Sequence, residues 1–300
     1  MMDFKQIMSF IKIEHTLFSL PFILVGFIVA NNQFNDLLDD KSIFNLDLIW
    51  ILVAGGGARG LAMTLNRIID REIDAANPRT ASRHLASGTM SMNTAWILAG
   101  IFLVMLLFGA GMLNEVALGM SWLPVLAFVV YPYTKRFTWL CHSWLGLCLG
   151  LAPAGAWLAI AGDFHGWEAL TGTDGLGSGL LWQPTILFLS LGVAIWITAF
   201  DINYARMDIT SDQDNGVNSF PARFGEDFTT KISYVLILVW MLCFIISKPI
   251  QDSFYVYLVA LLAILNCYII LKKDILQDFQ TSLFRVSIFT GWAILLSMII

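Results

Sequence analysis

The sequence predicts an all-α, polytopic membrane protein with nine transmembrane helices, and three observations support this fold class. Hydrophobic residues make up 58% of the 300 residues and charged residues only 13%, whereas soluble globular proteins carry about 25% charged residues. The mean hydropathy is +0.74. Apolar stretches of about 20 residues, the length that crosses a bilayer, follow one another along the chain. The 22 Phe and 11 Trp also exclude a disordered chain.

Residues 1–15 precede the first apolar stretch and predict a short helix that lies in the membrane interface. Apolar residues recur there at helical spacing with two lysines between them: Phe4, Ile7, Met8, Ile11, Lys5 and Lys12. A frayed terminus is the alternative. A signal peptide fits less well, because Asp3 and Glu14 dilute the basic segment and no small-residue cleavage site follows.

Nine apolar stretches account for the rest of the chain and leave no room for a soluble domain. We therefore expect residues 1–300 to form a single domain. The predicted spans lie near 16–31, 47–66, 93–113, 115–131, 138–161, 181–200, 232–248, 253–271 and 284–300.

The basic residues predict the orientation of these spans. If the nine spans are correct, all but two of the 17 Lys and Arg residues lie on the side of the N-terminus, and the exceptions are Lys41 and Lys248. Short cytoplasmic loops carry an excess of Lys and Arg, so we expect the N-terminus to be cytoplasmic. The net charge of −5 and the absence of a basic run exclude a nucleic-acid partner.

Two segments concentrate polar and acidic residues at the expected cytoplasmic ends of spans 2 and 6. The first contains Asn66, Asp70 and Asp74, which are four residues apart and share one helical face. The second contains Asp201, Tyr204, Asp208 and Asp212, spaced by three and four, which again predicts one face. Alternatively, these acids pair with neighbouring arginines as solvated helix ends.

Two carboxylate clusters on one membrane face would repel each other unless cations lie between them. Oxygen ligands suit Mg²⁺, which commonly binds one or two carboxylates together with substrate phosphates. No P-loop or kinase motif indicates a nucleotide. The phosphate compound whose tail requires a membrane is an isoprenoid diphosphate, so the pattern predicts a Mg²⁺-dependent enzyme that uses a polyprenyl diphosphate.

Further polar residues inside or at the ends of apolar spans are candidates for substrate binding. Arg59 lies two helical turns deeper than Asn66 on the same face, and its planar guanidinium suits a carboxylate. Snorkelling to the interface is the alternative for this residue. Tyr131, Lys135 and Arg136 end span 4 and are either a phosphate site or an ordinary aromatic and basic interface belt.

These motifs together resemble the UbiA superfamily of intramembrane prenyltransferases over nearly the whole chain. The matching residues are Asn66-x-x-x-Asp70-x-x-x-Asp74, Asn77-Pro-Arg79-Thr80-x-x-Arg83, Tyr131-Pro-x-x-Lys135-Arg136, Asp201-x-x-Tyr204-Ala-x-x-Asp208-x-x-x-Asp212 and Gly216-Val-Asn-Ser219-x-Pro-x-x-x-Gly225. The resemblance implies nine helices around a central cavity, two Mg²⁺ ions that bridge the diphosphate, and an opening to lipid for the isoprenoid tail.

The resemblance also implies a role for each candidate residue in an enzyme of the bacterial inner membrane. Asn66, Asp70 and Asp74 would bind one metal, and Asp208 and Asp212 the other. Tyr131, Lys135 and Arg136 would hold the diphosphate. Arg59 would meet the carboxylate of an aromatic acid acceptor. The supporting residues Asp201 and Tyr204 would orient the second cluster.

The second aspartate motif resembles the 4-hydroxybenzoate polyprenyltransferase branch more than the haem-farnesylating branch. Two positions depart from the common pattern, because Arg67 follows Asn66 where an aspartate is frequent, and His84 follows Arg83 where a proline is frequent. The Asn66-Arg67 pair also resembles relatives that prenylate a naphthoate-type acceptor for menaquinone, which is the alternative acceptor. A membrane transporter is the alternative from a different functional class.

Overall fold

We describe the protein from a computed structural model. The structure describes residues 4–12, 16–37, 45–173, 180–247, 249, 252–273, 275–276 and 278–299. Most of these residues are helical, and within them no strand forms; Thr173 and Leu180 make an isolated antiparallel bridge. Lys41 and Lys248, the two basic residues expected on the non-cytoplasmic side, lie outside the described residues.

The described residues form fifteen α-helices and a short 3-10 helix. In chain order the α-helices are α1 Phe4–Phe10, α2 Thr16–Gln33, α3 Leu46–Ile69, α4 Arg71–Ala76, α5 Met92–Leu113, α6 Glu115–Met120, α7 Trp122–Thr134, α8 Cys141–His165, α9 Glu168–Thr171, α10 Thr185–Tyr204, α11 Ile209–Asp214, α12 Phe220–Phe224, α13 Glu226–Ser247, α14 Ser253–Leu271 and α15 Phe279–Leu296. The 3-10 helix, Ala205–Asp208, joins α10 to α11.

Nine helical segments of the described chain are long and apolar enough to cross a membrane, which confirms the predicted fold class. Each coincides with one predicted span: α2, α3, α5, α6 with α7, α8, α10 through α11, α13, α14 and α15. The sixth and seventh differ most from the prediction. The helical segment of the sixth continues through polar turns to Asp214, and the seventh begins with a polar first turn at Glu226 rather than at 232.

Side-chain caps fix where several of these helices begin. The side chain of Asn45 accepts a hydrogen bond from the Leu48 amide at 3.0 Å at the start of α3. Asn114 separates α5 from α6, accepting from the Ala117 amide at 2.8 Å and donating to the Ala159 carbonyl of α8 at 2.8 Å. Asn114 therefore both starts α6 and ties it to a neighbouring span.

The spans pack into two groups. In the first, α3 lies mainly against α5 and α7, and its buried side chains include Leu61 and Leu65. In the second, α10 packs against α8 and α13, α2 packs against α8, and α15 packs against α2 and α14. Trp196 and Trp240, whose ring centroids are 5.9 Å apart, lie at the centre of this larger group. The two apolar groups leave a cavity between them.

The interfacial segment forms α1, and its last residue is fully buried. The Phe10 ring lies 5.4 Å from the guanidinium carbon of Arg67 and 6.0 Å from the ring of His84. These two residues are the positions at which the sequence departs from the family pattern. α1 therefore contacts the first aspartate segment at Arg67, and its position relative to lipid stays a prediction.

Gly57 lets α3 and α5 approach closely, and we expect Gly57→Ala to lower the free energy of unfolding by about 1–3 kcal/mol. An added Cβ would lie 2.4 Å from the Leu106 amide nitrogen and 2.8 Å from the Phe102 carbonyl oxygen, so the two helices must separate. The measurement is the amount of folded protein that remains in detergent after heating.

The neighbouring glycine provides a matched control. A Cβ at Gly56 would meet nothing within 4 Å, so Gly56→Ala should be neutral or should stabilise by about 0.5–1 kcal/mol, since alanine favours helix. Equal losses in both variants would contradict the close approach.

Candidate active site

A cavity of about 610 Å³ lies between the two groups of helices. Asn66, Tyr131 and Asp201 line it at the end where the aspartate segments lie, and Trp157 and Ile186 line it at the other end. At about 1.5 Å per residue, α10 rises about 22 Å from Ile186 to Asp201. The cavity walls are mostly apolar, so the cavity suits a long apolar ligand with a polar end.

The first aspartate segment lies at the mouth of this cavity, where α3 ends and α4 begins. The hydrogen-bond ladder continues through the junction, because the Asp70 amide donates to the Asn66 carbonyl at 2.9 Å and the Asp74 amide to the Asp70 carbonyl at 2.8 Å. The Asn66 side-chain amide donates to Asp70 Oδ2 at 2.7 Å. Lys135, from the end of α7, places Nζ 2.5 Å from the same oxygen.

Asp70 is the most enclosed carboxylate of the segment, with 0% exposure. Burial raises the pKa of the Asp70 carboxyl, and Lys135 partly offsets this effect. Its second oxygen, Oδ1, is buried and has no hydrogen-bond partner among the described residues. A buried carboxylate oxygen without a donor is costly, so this atom is suited to binding a cation.

The loop after α4 brings arginines onto both aspartate segments. Arg83 Nη1 lies 2.7 Å from Asp74 Oδ1. Arg79 holds Asp208 with two parallel bonds, Nε to Oδ1 at 2.8 Å and Nη2 to Oδ2 at 2.6 Å, and Asn77 adds a third bond to Oδ1 at 3.1 Å. Burial lowers the pKa of Arg79, but the bonds to Asp208 hold it above its ordinary value. The two segments thus meet at one mouth.

The second aspartate segment is not one regular helical face, which corrects the sequence-based expectation. α10 ends at Tyr204, the 3-10 helix runs from Ala205 to Asp208, and α11 begins at Ile209. A 3-10 helix turns in three residues rather than 3.6, so side chains beyond Tyr204 rotate away from the α-helical register. Asp208 consequently bonds Arg79, whereas Asp201 bonds His142 on α8.

The remaining candidates fall into two sets. Arg59 and Tyr204 line the cavity, and the Arg79 guanidinium lies over the Tyr204 ring at 5.6 Å. Arg59 Nε is buried without a partner, and its guanidinium makes no ion pair within the described residues. Arg136 is exposed and donates to the Ile69 carbonyl at 2.6 Å, so it closes the C-terminus of α3 rather than lining the cavity.

Within the described part of the chain, no three acidic, histidine or cysteine side chains converge on one point that could hold a metal. The carboxylates pair instead with Lys135, Arg79 and Arg83. Asp212 makes no ion pair with a described residue. The donor set is oxygen only and split between two segments, which fits hard cations whose shells are completed by phosphate oxygens.

The sequence patterns assigned no role to two residues of the site, Asn77 and His142. Asn77 was included in a motif without a role, yet it bonds Asp208. His142, in the first turn of α8, has a side chain with 6% exposure and lies 2.6 Å from Asp201. A histidine at the end of an apolar span is a signal that would have identified it, because ionisable residues at membrane depth are rare.

The chain matches the UbiA prenyltransferase family over residues 19–289. Among curated proteins it is 27% identical to a 4-hydroxybenzoate octaprenyltransferase from Shewanella pealeana, over 85% of this chain and 81% of that protein. It is 28% identical to a mitochondrial 4-hydroxybenzoate polyprenyltransferase from Aedes aegypti, over 66% of this chain and 43% of that protein.

Solved structures agree with this match. A UbiA homologue from Aeropyrum pernix K1 superposes with a TM-score of 0.77 at 29% identity, covering 95% of this chain and 98% of the other. A UbiA homologue from Archaeoglobus fulgidus, bound to GPP and Mg²⁺, superposes with a TM-score of 0.59 at 15% identity over 94% and 99%. The protein with the cavity and the two aspartate segments belongs to the UbiA prenyltransferase family.

Proposed function

We propose that the protein transfers a polyprenyl group from an all-trans polyprenyl diphosphate to a ring carbon of an aromatic acid, with 4-hydroxybenzoate as the acceptor and ubiquinone-type quinone synthesis as the pathway. One observation supports this most strongly. A mostly apolar cavity opens at two carboxylate segments and is lined by Arg59, whose Nε is buried and which makes no ion pair with a described residue. The apolar walls would accommodate the prenyl chain, Arg59 would bind the carboxylate of the acceptor, and the polar mouth would bind the diphosphate.

At the mouth, basic side chains and metal ions held by the carboxylates would together bind the diphosphate. Lys135 and Tyr131 would hold phosphate oxygens, and the ligands of two Mg²⁺ ions would be Asn66, Asp70, Asp74, Asp208 and Asp212. Bound Mg²⁺ supplies Lewis-acid stabilisation of the departing diphosphate. The orphaned Oδ1 of Asp70 supports this assignment, since it is a buried acceptor with no donor in the described chain.

The apolar cavity would protect the reaction that follows. When the carbon–oxygen bond to the diphosphate breaks, an allylic cation remains, and a ring carbon of the acceptor attacks it. Loss of the ring proton then restores aromaticity. Water would capture the cation, so the apolar walls, which include Phe128 and Phe200, must exclude water. Aromatic faces also stabilise nearby positive charge.

Relatives support the substrate classes. The Archaeoglobus fulgidus homologues were solved with GPP or DMAPP together with Mg²⁺. The curated relatives carry the name 4-hydroxybenzoate octaprenyltransferase or polyprenyltransferase. We further propose that the mouth faces the cytoplasm in a bacterial inner membrane, which the excess of Lys and Arg on that side supports.

The test uses membranes that contain the full chain, an isoprenyl diphosphate and 4-hydroxybenzoate, with product detection by mass spectrometry. We expect a prenylated acid to form and EDTA to abolish it, and excess Mg²⁺ to restore it, because the carboxylate segments cannot hold the diphosphate alone. A naphthoate acceptor in a parallel reaction separates the two acceptor classes.

Several outcomes would contradict this function. Transfer that continues unchanged in EDTA would exclude the metal-assisted reaction. Product with the naphthoate but not with 4-hydroxybenzoate would replace the acceptor and keep the reaction. Solute uptake that persists without Mg²⁺, in the absence of any prenylated product, would favour a transporter.

A further inference from the structure

His142 on α8 connects this helix to α10 and to α12 through the two nitrogens of its ring. It lies in the first turn of α8, and its side chain is 6% exposed. Its Nδ1 is 2.6 Å from Asp201 Oδ2 on α10. Its Nε2 is 3.0 Å from the amide nitrogen of Phe220, the first residue of α12. None of the sequence motifs at the mouth of the cavity includes this histidine.

The bonding pattern assigns the tautomer of His142. A backbone amide only donates, so the bond from Phe220 requires a lone pair on Nε2. The proton of the neutral ring is therefore on Nδ1, which donates it to Asp201. A neutral histidine that donates to a carboxylate fixes the orientation of that carboxylate.

The other oxygen of Asp201 is available to a ligand. Asp201 lines the cavity, and its side chain keeps 20% exposure. The bond to His142 is the only one that its carboxylate makes with a described residue. Within the described part of the chain no lysine or arginine forms an ion pair with it, in contrast to Asp70, Asp74 and Asp208.

These facts select the kind of group that Asp201 would meet. A carboxylate repels a diphosphate unless a cation lies between them, and the partner of Asp201 is the neutral ring of His142, so a neutral donor suits its free oxygen better than the leaving group does. Asp201 lies on α10 before the 3-10 turn and lines the cavity, seven residues ahead of Asp208. A hydrogen-bond donor in the cavity is the favourable partner, and the ring hydroxyl of a phenolic acceptor is such a donor.

We propose that His142 is a positioning residue, which orients the Asp201 carboxylate so that its free oxygen accepts a hydrogen bond from the ring hydroxyl of the acceptor. This inference rests on the proposed function, because it requires a hydroxylated aromatic acceptor. It does not depend on which acid is used. By accepting that bond, Asp201 would orient the ring and increase electron density at the attacking carbon.

The experiment compares His142→Leu with His142→Asn in purified protein. Leucine removes the donor, whereas the asparagine amide can donate from the position of Nδ1. We expect His142→Leu to lower kcat/KM for the phenolic acceptor by about 10- to 100-fold, the usual cost of removing an orienting partner. The KM for the prenyl diphosphate should be unchanged, and His142→Asn should recover most of the loss.

His165→Leu is the matched control, because His165 lies at the opposite end of the same helix and packs against Phe34. Its acceptor kinetics should equal those of the unsubstituted chain. Should His142→Leu not fold, His142→Asn alone carries the test, and a large loss of acceptor kcat/KM in that folded variant would overturn the proposal. Equal loss in both variants, or none in His142→Leu, would also overturn it.

Failure of this inference can be told from failure of the proposed function. If the unsubstituted chain prenylates no hydroxylated aromatic acid, the function itself is wrong. If it prenylates one and the two His142 variants retain full acceptor kinetics, only the role of His142 is wrong. An increase in the KM for the prenyl diphosphate alone would place His142 with the diphosphate site and contradict the proposal.

Discussion

The Asp208→Asn variant is expected to lose prenyl transfer by about 10²- to 10³-fold in kcat, the size of loss that follows removal of one group stabilising charge in a transition state. The Asp208 carboxylate accepts three bonds, two from Arg79 and one from Asn77. Asparagine keeps the shape but removes a negative charge, and its NH₂ group faces a guanidinium that can only donate. The measurement is kcat at saturating Mg²⁺ and both substrates.

Asp214→Asn is the matched control for this variant. Asp214 ends α11, six positions after Asp208, and is exposed. Its substitution makes the same change of charge in the same segment, so we expect wild-type kinetics. Full activity in Asp208→Asn, with the protein folded, would remove the second aspartate segment from the mechanism. Equal losses in both variants would indicate a nonspecific effect of charge at the mouth.

The Arg59→Leu variant is expected to separate acceptor binding from stability. If Arg59 binds the acceptor carboxylate, leucine should raise the KM for 4-hydroxybenzoate by about 10- to 100-fold, since a charge-assisted pair contributes about 1.5–3 kcal/mol. The KM for the prenyl diphosphate should not change. Because a buried unpaired charge is costly, the same variant should unfold at a higher temperature, as measured by heating in detergent.

Two controls sharpen this prediction. Arg59→Lys keeps the charge but loses the planar fork that suits a carboxylate, so its acceptor KM should be intermediate. The methyl ester of 4-hydroxybenzoate lacks the anion, so Arg59→Leu should use the ester as well as the unsubstituted protein does. A normal KM for 4-hydroxybenzoate in Arg59→Leu, or a lower unfolding temperature, would show that Arg59 has a structural partner instead.

The sequence was sufficient to predict the transmembrane architecture. Crossing a bilayer imposes a length and an apolar composition on each helix, and both are local properties that can be read without knowing the neighbours. For the same reason the two aspartate segments could be assigned to one membrane face. Their proximity in the structure, where Arg79 of the first loop binds Asp208, follows from that assignment.

The particular partners could not be predicted, because they depend on how distant segments pack. Asp74 pairs with Arg83 and Asp208 with Arg79, but sequence spacing alone permits either pairing. The 3-10 turn before Asp208 has no composition signature, and it redirects the second segment. His142 was missed because its two partners, Asp201 and Phe220, lie on other helices.

The mouth and the walls of the cavity are held together by different forces. Asn77 and Arg79 of one loop join Asp208 across the mouth, whereas the walls are joined by tightly packed apolar side chains. Dissolved ions weaken partly exposed charge pairs but leave apolar packing nearly intact. Salt should therefore weaken the contacts across the mouth much more than the packing of the cavity walls.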